Sequence, residues 1–89
     1  MDASVIAKAA NAISDRHRLA ILLEIARKGT CVCADICQLT RLSQPAISHH
    51  IKILVDAGVL IYDKTGRTVQ LTLNKAMMQQ LSAFFGGLS

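Results

Sequence analysis

The fold is decided by residues 42–58, which read Leu-Ser-Gln-Pro-Ala-Ile-Ser-His-His-Ile-Lys-Ile-Leu-Val-Asp-Ala-Gly. Ser43 is a good N-cap, Pro45 is tolerated in a first helical turn, and Gly58 is a common stop signal. Between these signals the apolar residues recur at helical spacing and form one stripe, which consists of Ile47, Ile51, Leu54 and Val55. The stretch therefore predicts a helix that packs against a core along one side.

The opposite side of this helix carries short or cationic hydrogen-bonding groups and no carboxylate. These groups are Ser43, Gln44, Ser48, His49 and Lys52. Gln44 and Ser48 are expected to read bases, because glutamine suits adenine, whereas His49 and Lys52 suit phosphates. His50 lies beside the apolar stripe and is predicted to be a packed structural residue. The simplest alternative is a solvated helix face, but the pattern favours a DNA recognition helix.

Length and composition indicate a single folded domain, residues 1–89, near the size at which oligomerisation often helps stability. Hydrophobic residues make up 52% of the chain, which excludes disorder, and no apolar run reaches the ~18 residues of a membrane span. The net charge of +4 is compatible with nucleic acid. The N-terminus, Met-Asp-Ala-Ser, does not resemble a secretory signal, so we expect a cytoplasmic protein with reduced cysteines.

Three helices are predicted before the recognition helix. Asp2 can cap the first, and Asp15 the second, in which the predicted core positions are Leu19, Leu22, Leu23, Ile25 and Ala26. A short third helix, roughly Ala34 to Leu39, follows the segment Cys31-Val32-Cys33. Because only a few residues join it to the recognition helix, the two are predicted to form a helix-turn-helix.

Beyond Gly58 the apolar pattern changes from helical to strand-like. Residues 68–73 alternate between polar and apolar, and with 59–62 they predict a hairpin whose turn, 64–67, contains Gly66. Lys64 and Arg67 stand at its tip, so the hairpin suits contact with the phosphate backbone or minor groove. A last helix follows Asn74, and its apolar patch consists of Met77, Met78, Leu81, Phe84 and Phe85.

This order of elements resembles the ArsR/SmtB winged-helix repressors. Three stretches carry the resemblance: 12–22, reading Ala-Ile-Ser-Asp-Arg-His-Arg-Leu-Ala-Ile-Leu, the recognition helix at 42–54, and Val-Leu-Ile at 59–61 followed by Gly66-Arg67. The resemblance implies a mainly helical α+β winged helix, with four helices, a hairpin wing and a C-terminal helix. It also implies a homodimer joined by the first and last helices, which binds an inverted-repeat operator and is released by an effector. The expected interface residues are Val5, Ile6, Ala9, Met77, Leu81, Phe84 and Phe85.

Cys31, Cys33 and Cys37 lie within seven residues. Thiolates are soft ligands, and three sulfurs without a fourth partner suit As(III) or Sb(III) better than tetrahedral Zn(II). Cys-Val-Cys at this place is similar to the sensing site of arsenite-responsive family members, which space their cysteines Cys-x-Cys-x2-Cys, one residue closer than here. Zinc- and cobalt-sensing relatives use acidic and His residues on the last helix, and 75–86 contains none. We expect ligation to distort the start of the helix-turn-helix and release DNA.

Other readings of the chain remain open. The cysteines could form a redox switch, through Cys33 and Cys37 or Cys31 and Cys37, or they could be small structural residues in a regulator with another effector. An enzyme is disfavoured because the six acidic residues are scattered and no glycine-rich phosphate loop occurs. A pure protein-interaction module is disfavoured because the recognition helix and hairpin keep their cations. No organic cofactor is expected.

Overall fold

The computed structural model describes residues 2–89, and the side chains of all of these except Cys37 and Leu39. Within this range the chain forms five helices and three strands. In chain order they are α1 (Ala3–Ala12), α2 (Arg16–Lys28), β1 (Thr30–Val32), α3 (Cys33–Leu39), α4 (Gln44–Asp56), β2 (Leu60–Thr65), β3 (Thr68–Leu73) and α5 (Lys75–Gly87). The predicted winged helix-turn-helix is confirmed, with α3 and α4 as the helix-turn-helix and β2–β3 as the wing.

Side chains at the predicted N-caps fix where the helices begin. The Asp15 carboxylate accepts hydrogen bonds from the backbone N–H groups of His17 and Arg18, at 2.9 and 3.1 Å. The Ser43 hydroxyl accepts one from Ala46 N–H at 3.4 Å, and the Asn74 side chain one from Met77 N–H at 3.2 Å. Each bond satisfies a backbone donor that has no partner inside the helix, so these local residues determine the helix starts.

Of the five core positions predicted on α2, two are buried, Leu22 and Ile25, and the other three are exposed. Ile21, Leu22 and Ile25 are buried, whereas Leu19 and Leu23 are 40% and 60% exposed and Ala26 is also exposed. Residues 19–23 are all apolar, so their spacing does not select one side. The choice is made by packing, because α2 contacts β1, β3 and α4, and only one face of the helix can meet all three.

Arg18 joins α2 to the end of α1. Its Nε donates to the Ala12 carbonyl at 2.6 Å and its Nη2 to the Asn11 carbonyl at 3.2 Å. These carbonyls lie in the last turn of α1, where backbone acceptors have no helical partner and a cation is favoured by the helix dipole. Arg18 therefore acts as a C-terminal cap supplied by the neighbouring helix.

Replacing Arg18 with methionine should lower the free energy of unfolding by about 1–3 kcal/mol, because the substitution removes two charge-assisted hydrogen bonds and keeps the apolar stem. Urea denaturation would measure the change. Arg16→Met is the matched control, since Arg16 is exposed at the start of the same helix. A loss no larger than that of the control would show that the cap contributes little.

The three strands form one antiparallel sheet in the order β1-β3-β2. The wing hairpin closes between Thr65 and Thr68 through Gly66 and Arg67, and Gly66 has φ +62°. A positive φ at the first of two central turn residues is the pattern of a type II′ hairpin, for which glycine is preferred. Strand β1 was not predicted. It pairs Cys31 with Leu71, and a three-residue strand whose partner lies forty residues away leaves no local signal.

The core lies between the helices and one face of this sheet. Its largest fully buried side chains come from α2, α3, α4 and the strand region, and they are Ile21, Ile25, Ile36, Ile47, Leu54, Val59 and Leu71. Of the stripe predicted on α4, Ile47, Ile51 and Leu54 are buried and Val55 is half-buried. The remaining sides of α4 consequently face solvent. Among residues 2–89, no helix is both long and apolar enough to cross a bilayer.

Candidate functional site

The outward face of α4 presents Gln44, Ser48 and Lys52 to solvent, each one turn after the last. His49 is also exposed, and Ser43 is exposed while its hydroxyl caps the helix. The Lys52 ammonium lies 3.2 Å from the Asp56 carboxylate, one turn further along. Both side chains are more than half exposed, so this ion pair is weak and leaves Lys52 available to an anion.

The wing places two cations and an aromatic ring near this helix. Lys64 is exposed on β2, and Arg67 is exposed in the turn. Tyr62 is 48% exposed on β2 and was not among the predicted contacts. Tyr62 lies on the same face of the sheet as Leu60, two residues earlier. Leu60 is buried in the core, whereas Tyr62 is exposed at the groove beside α4. The alternation of strand residues is the signal by which Tyr62 could have been found.

A groove of about 720 Å³ separates α4 from the wing. Gln44, Ser48 and Lys52 line it from α4, and Tyr62 and Arg67 line it from the wing. Its apolar lining comes from Val32, Ala34, Ile47, Ile51, Val55 and Val69, and Cys33 lines it at the start of α3. The groove thus joins the predicted base-reading residues, one wing cation and one of the three cysteines. Lys64, His49 and Ser43 are not among its lining residues.

Cys31 and Cys33 lie in different environments. Cys31 is 4% exposed on β1 and belongs to the core, and burial raises the pKa of its thiol. Cys33 is half-buried as the first residue of α3 and lines the groove. Cys37 follows one turn later in α3, and its side chain is outside the described part of the structure. Among the described side chains, no three His, Cys, Asp or Glu residues are placed to hold a metal ion. The three-sulfur set stays a prediction.

His50 packs between α4 and the start of α2. Its Nδ1 lies 3.9 Å from the Asp15 carboxylate, and the ring centroids of His17 and His49 are 5.8 and 6.0 Å from its own. Nδ1 is buried without a hydrogen-bond partner among the described residues. Burial lowers the pKa of His50, as do Arg18, His17 and His49, while Asp15 raises it. The predicted structural role fits this placement, although sequence spacing gave no sign of the cluster.

Stability should fall as the pH drops below the ordinary His50 pKa of 6.5. Because the pKa of folded His50 is lowered, the unfolded chain binds the proton first, so acid favours unfolding over that interval. Urea denaturation from pH 7.5 to 5.5 would show the decline. His50→Gln should flatten it much more than His49→Gln, because His49 is exposed and makes only a small contribution to the lowered pKa of His50. Equal slopes for all three proteins would mean that His50 does not govern stability in this range.

The residues predicted for a dimer interface divide into two groups. Ile6 and Ala9 are 9% and 1% exposed, so they pack within the protomer and have almost no surface to offer a partner; that part of the prediction is corrected. The others keep exposed or half-buried side chains, and they are Val5, Met77, Leu81, Phe84 and Phe85. Helix α5 has no buried residue, and the interface in this narrower form stays a prediction.

Comparison with known proteins agrees with this architecture. Residues 15–62, more than half of the chain, match the family described as bacterial regulatory protein, arsR family. The arsenical resistance operon repressor of Bacillus subtilis is 36% identical over 64 residues, covering 71% of this chain and 60% of the relative. That of Escherichia coli is 38% identical over 63 residues, covering 70% and 53%. The cadmium resistance regulatory protein CadC homolog of Staphylococcus aureus is 32% identical over 77 residues, covering 85% and 63%. The chain thus spans about half to three fifths of these relatives' lengths.

Solved structures show the same fold. The crystal structure of an ArsR family transcriptional regulator superposes with a TM-score of 0.88 at 20% identity, covering 99% of this chain and 90% of the other. HlyU from Vibrio cholerae superposes with a TM-score of 0.75 at 25% identity, covering 96% and 98%. The chain belongs to the arsR family of bacterial regulatory proteins. The family resemblance seen in the sequence is confirmed, and a family of regulators supports the argument against an enzyme.

Proposed function

We propose that this protein is a DNA-binding transcriptional repressor whose operator contacts come from α4 and the wing. The observation that carries the proposal is the shared groove, in which Gln44, Ser48 and Lys52 face Arg67 across one cleft. Side chains with hydrogen-bonding tips on α4 suit base edges in the major groove. Cations on Lys52, Lys64 and Arg67 suit the phosphate backbone on either side. Ser43 and His49 flank this surface as further contacts.

The same proposal includes a homodimer that reads an inverted repeat. A helix-turn-helix dimer with two-fold symmetry places its two recognition helices on half-sites about one DNA turn apart. Helix α5 supports this assembly, because it keeps apolar side chains such as Phe85, 56% exposed, outside the core. Val5, at 37% exposure on α1, adds to the same kind of surface. Burial of both helices between protomers would stabilise a domain of only 89 residues.

The proposed inducer is a thiophilic ion, As(III) or Sb(III), bound by Cys31, Cys33 and Cys37. Support comes from the sulfur-only donor set and from relatives named as arsenical and cadmium resistance repressors. Each As–S bond that forms removes one thiol proton and one hydroxyl group of arsenous acid as water, so binding changes no oxidation state. Cys33 is half-buried and lines the groove, whereas Cys31 is enclosed in the core.

An arsenite titration of the reduced protein on a labelled fragment of its own promoter tests this function. Release at about one equivalent per chain is the expected result, and Zn(II) should act only weakly. Release by peroxide alone, reversed by a reductant, would reassign the cysteines to redox sensing and keep the repressor. Binding to the duplex should also weaken steeply with added salt, and salt-insensitive binding would contradict the DNA contacts proposed here.

A further inference from the structure

Strand β1 connects the cysteine segment to the wing. Its three residues pair with β3, with Thr30 opposite Thr72, Cys31 opposite Leu71 and Val32 opposite Gln70. The other edge of β3 pairs with β2 along the whole hairpin. Strand β3 is therefore shared, and β1 supports the inner half of the wing. The chain then passes directly from β1 into α3 at Cys33, so β1 also fixes where the helix-turn-helix begins.

Cys31 cannot meet an ion from solvent while β1 stays paired. Its side chain is 4% exposed and belongs to the core cluster that also contains Leu71 and Ile36. Cys33, two residues later, already lines the open groove. A single ion needs its sulfur ligands within one coordination shell, at metal–sulfur distances of roughly 2.3 Å as for zinc. Cys33 lines the groove and Cys31 is enclosed in the core, so movement of Cys31 out of the core would bring its sulfur to an ion held at Cys33.

We propose that Cys31 binds the effector only after β1 separates from β3, and that this separation transmits the signal to the DNA-binding surface. The inference rests on the proposed function and adds its conformational step. Opening β1 withdraws support from the wing and releases the start of α3 in one movement, so the wing and the first helix of the helix-turn-helix change together. Only three residue pairs join β1 to β3. A unit this small can open locally without unfolding of the whole domain.

The strength of β1 pairing should then set the affinity for the effector. A ligand that binds only the opened form has an apparent affinity reduced by the fraction of protein that is open. Thr30→Gly weakens the strand at an exposed position and should tighten arsenite binding by roughly two- to fivefold. Thr65→Gly is the matched control, because Thr65 is exposed at the far end of β2, outside the β1 pairing, and should leave arsenite affinity unchanged.

Hydrogen exchange of the full reduced chain, with arsenite alone and without DNA, tests the opening directly. Calorimetry on the same samples reports binding independently. Arsenite should speed amide exchange in residues 30–32 several-fold and in 70–72 to a smaller extent, since 70–72 keep their pairing with β2. Cys31→Val keeps an apolar, strand-forming residue in the core, and it should bind arsenite without this change in exchange.

Three results would overturn the inference, and they differ in what they imply for the proposed function. If arsenite binds and amide exchange in residues 30–32 stays the same or slows, then β1 remains paired with β3. In that case the opening step is wrong, while the proposed function as an arsenite-responsive repressor is unaffected. If arsenite does not bind the reduced chain, the thiol sensor itself fails and the opening step fails with it. Equal arsenite affinities of Thr30→Gly and Thr65→Gly would also contradict the proposal.

Discussion

Cys33→Ser should bind the operator as the native protein does and lose its response to arsenite. Serine is close in size to cysteine but has no thiolate, so a soft ion loses the sulfur of a residue that lines the groove. The N-cap of α3 is Val32, which makes no side-chain cap bond, so the substitution leaves the N-cap residue unchanged. Effectors of regulators typically change affinity 5–150-fold, and we expect that factor to fall to about one in the variant.

The measurement is operator affinity with and without arsenite, under reducing conditions. Ala34→Ser is the matched control, because Ala34 lines the same groove next to Cys33 and the substitution adds a hydroxyl without removing a sulfur. The control should be released by arsenite normally. A Cys33→Ser protein that is released at the native arsenite concentration would exclude Cys33 from the ligand set. Weak operator binding without arsenite would instead place Cys33 among the residues that shape the groove.

Features defined by local sequence were predictable. The stripe of Ile47, Ile51 and Leu54 predicted which side of α4 is buried, and hence which side is open to DNA. Ser43 and Asp15 predicted helix starts because capping depends on neighbours three or fewer residues away. Gly66 predicted the wing turn for the same reason, since a two-residue hairpin requires a residue that tolerates a positive φ.

Features defined by distant contacts were not predictable. The burial of Cys31 depends on Leu71, and the orientation of α2 depends on β3 and α4, so neither follows from spacing within one segment. The sequence placed Cys31 and Cys33 in one predicted set of three sulfurs, whereas the sheet places Cys31 in the core and Cys33 lines the groove. The order in which the sulfurs can engage an ion is therefore a property of the tertiary structure.

Residues at the start of α2 contact both α1 and α4, which the sequence pattern alone does not connect. Asp15 caps α2 and lies beside His50 of α4, and Arg18 caps the end of α1. The hydrogen bond from the Arg18 backbone N–H is the main cause of the lowered pKa of Asp15. His50 thus packs beside Asp15 and His17, is not among the groove residues, and belongs to a contact between α4 and the start of α2 that does not involve DNA.

Gln44→Ala should weaken binding to the operator by about 1–3 kcal/mol, or roughly 5- to 150-fold, and should barely change binding to random DNA. Gln44 is the first residue of α4, is exposed, and lines the groove beside Ser48, so its amide is free to meet a base edge. A glutamine that forms two hydrogen bonds with adenine discriminates against other bases by that amount. Contacts to phosphate carry no such discrimination, because every sequence presents the same backbone.

Lys52→Ala is the contrasting variant, and affinities for operator and random duplex over a range of salt concentrations separate the two roles. The Lys52→Ala protein should bind both duplexes more weakly. The magnitude of its slope of log affinity against log salt concentration should be smaller by about one. Gln44→Ala should keep the native slope, because an uncharged side chain releases no counterions. Equal losses on operator and random DNA after Gln44→Ala would assign Gln44 to the backbone. Recognition of the DNA base sequence would then have to come from Ser48 and from the wing, where Tyr62 and Arg67 line the same groove.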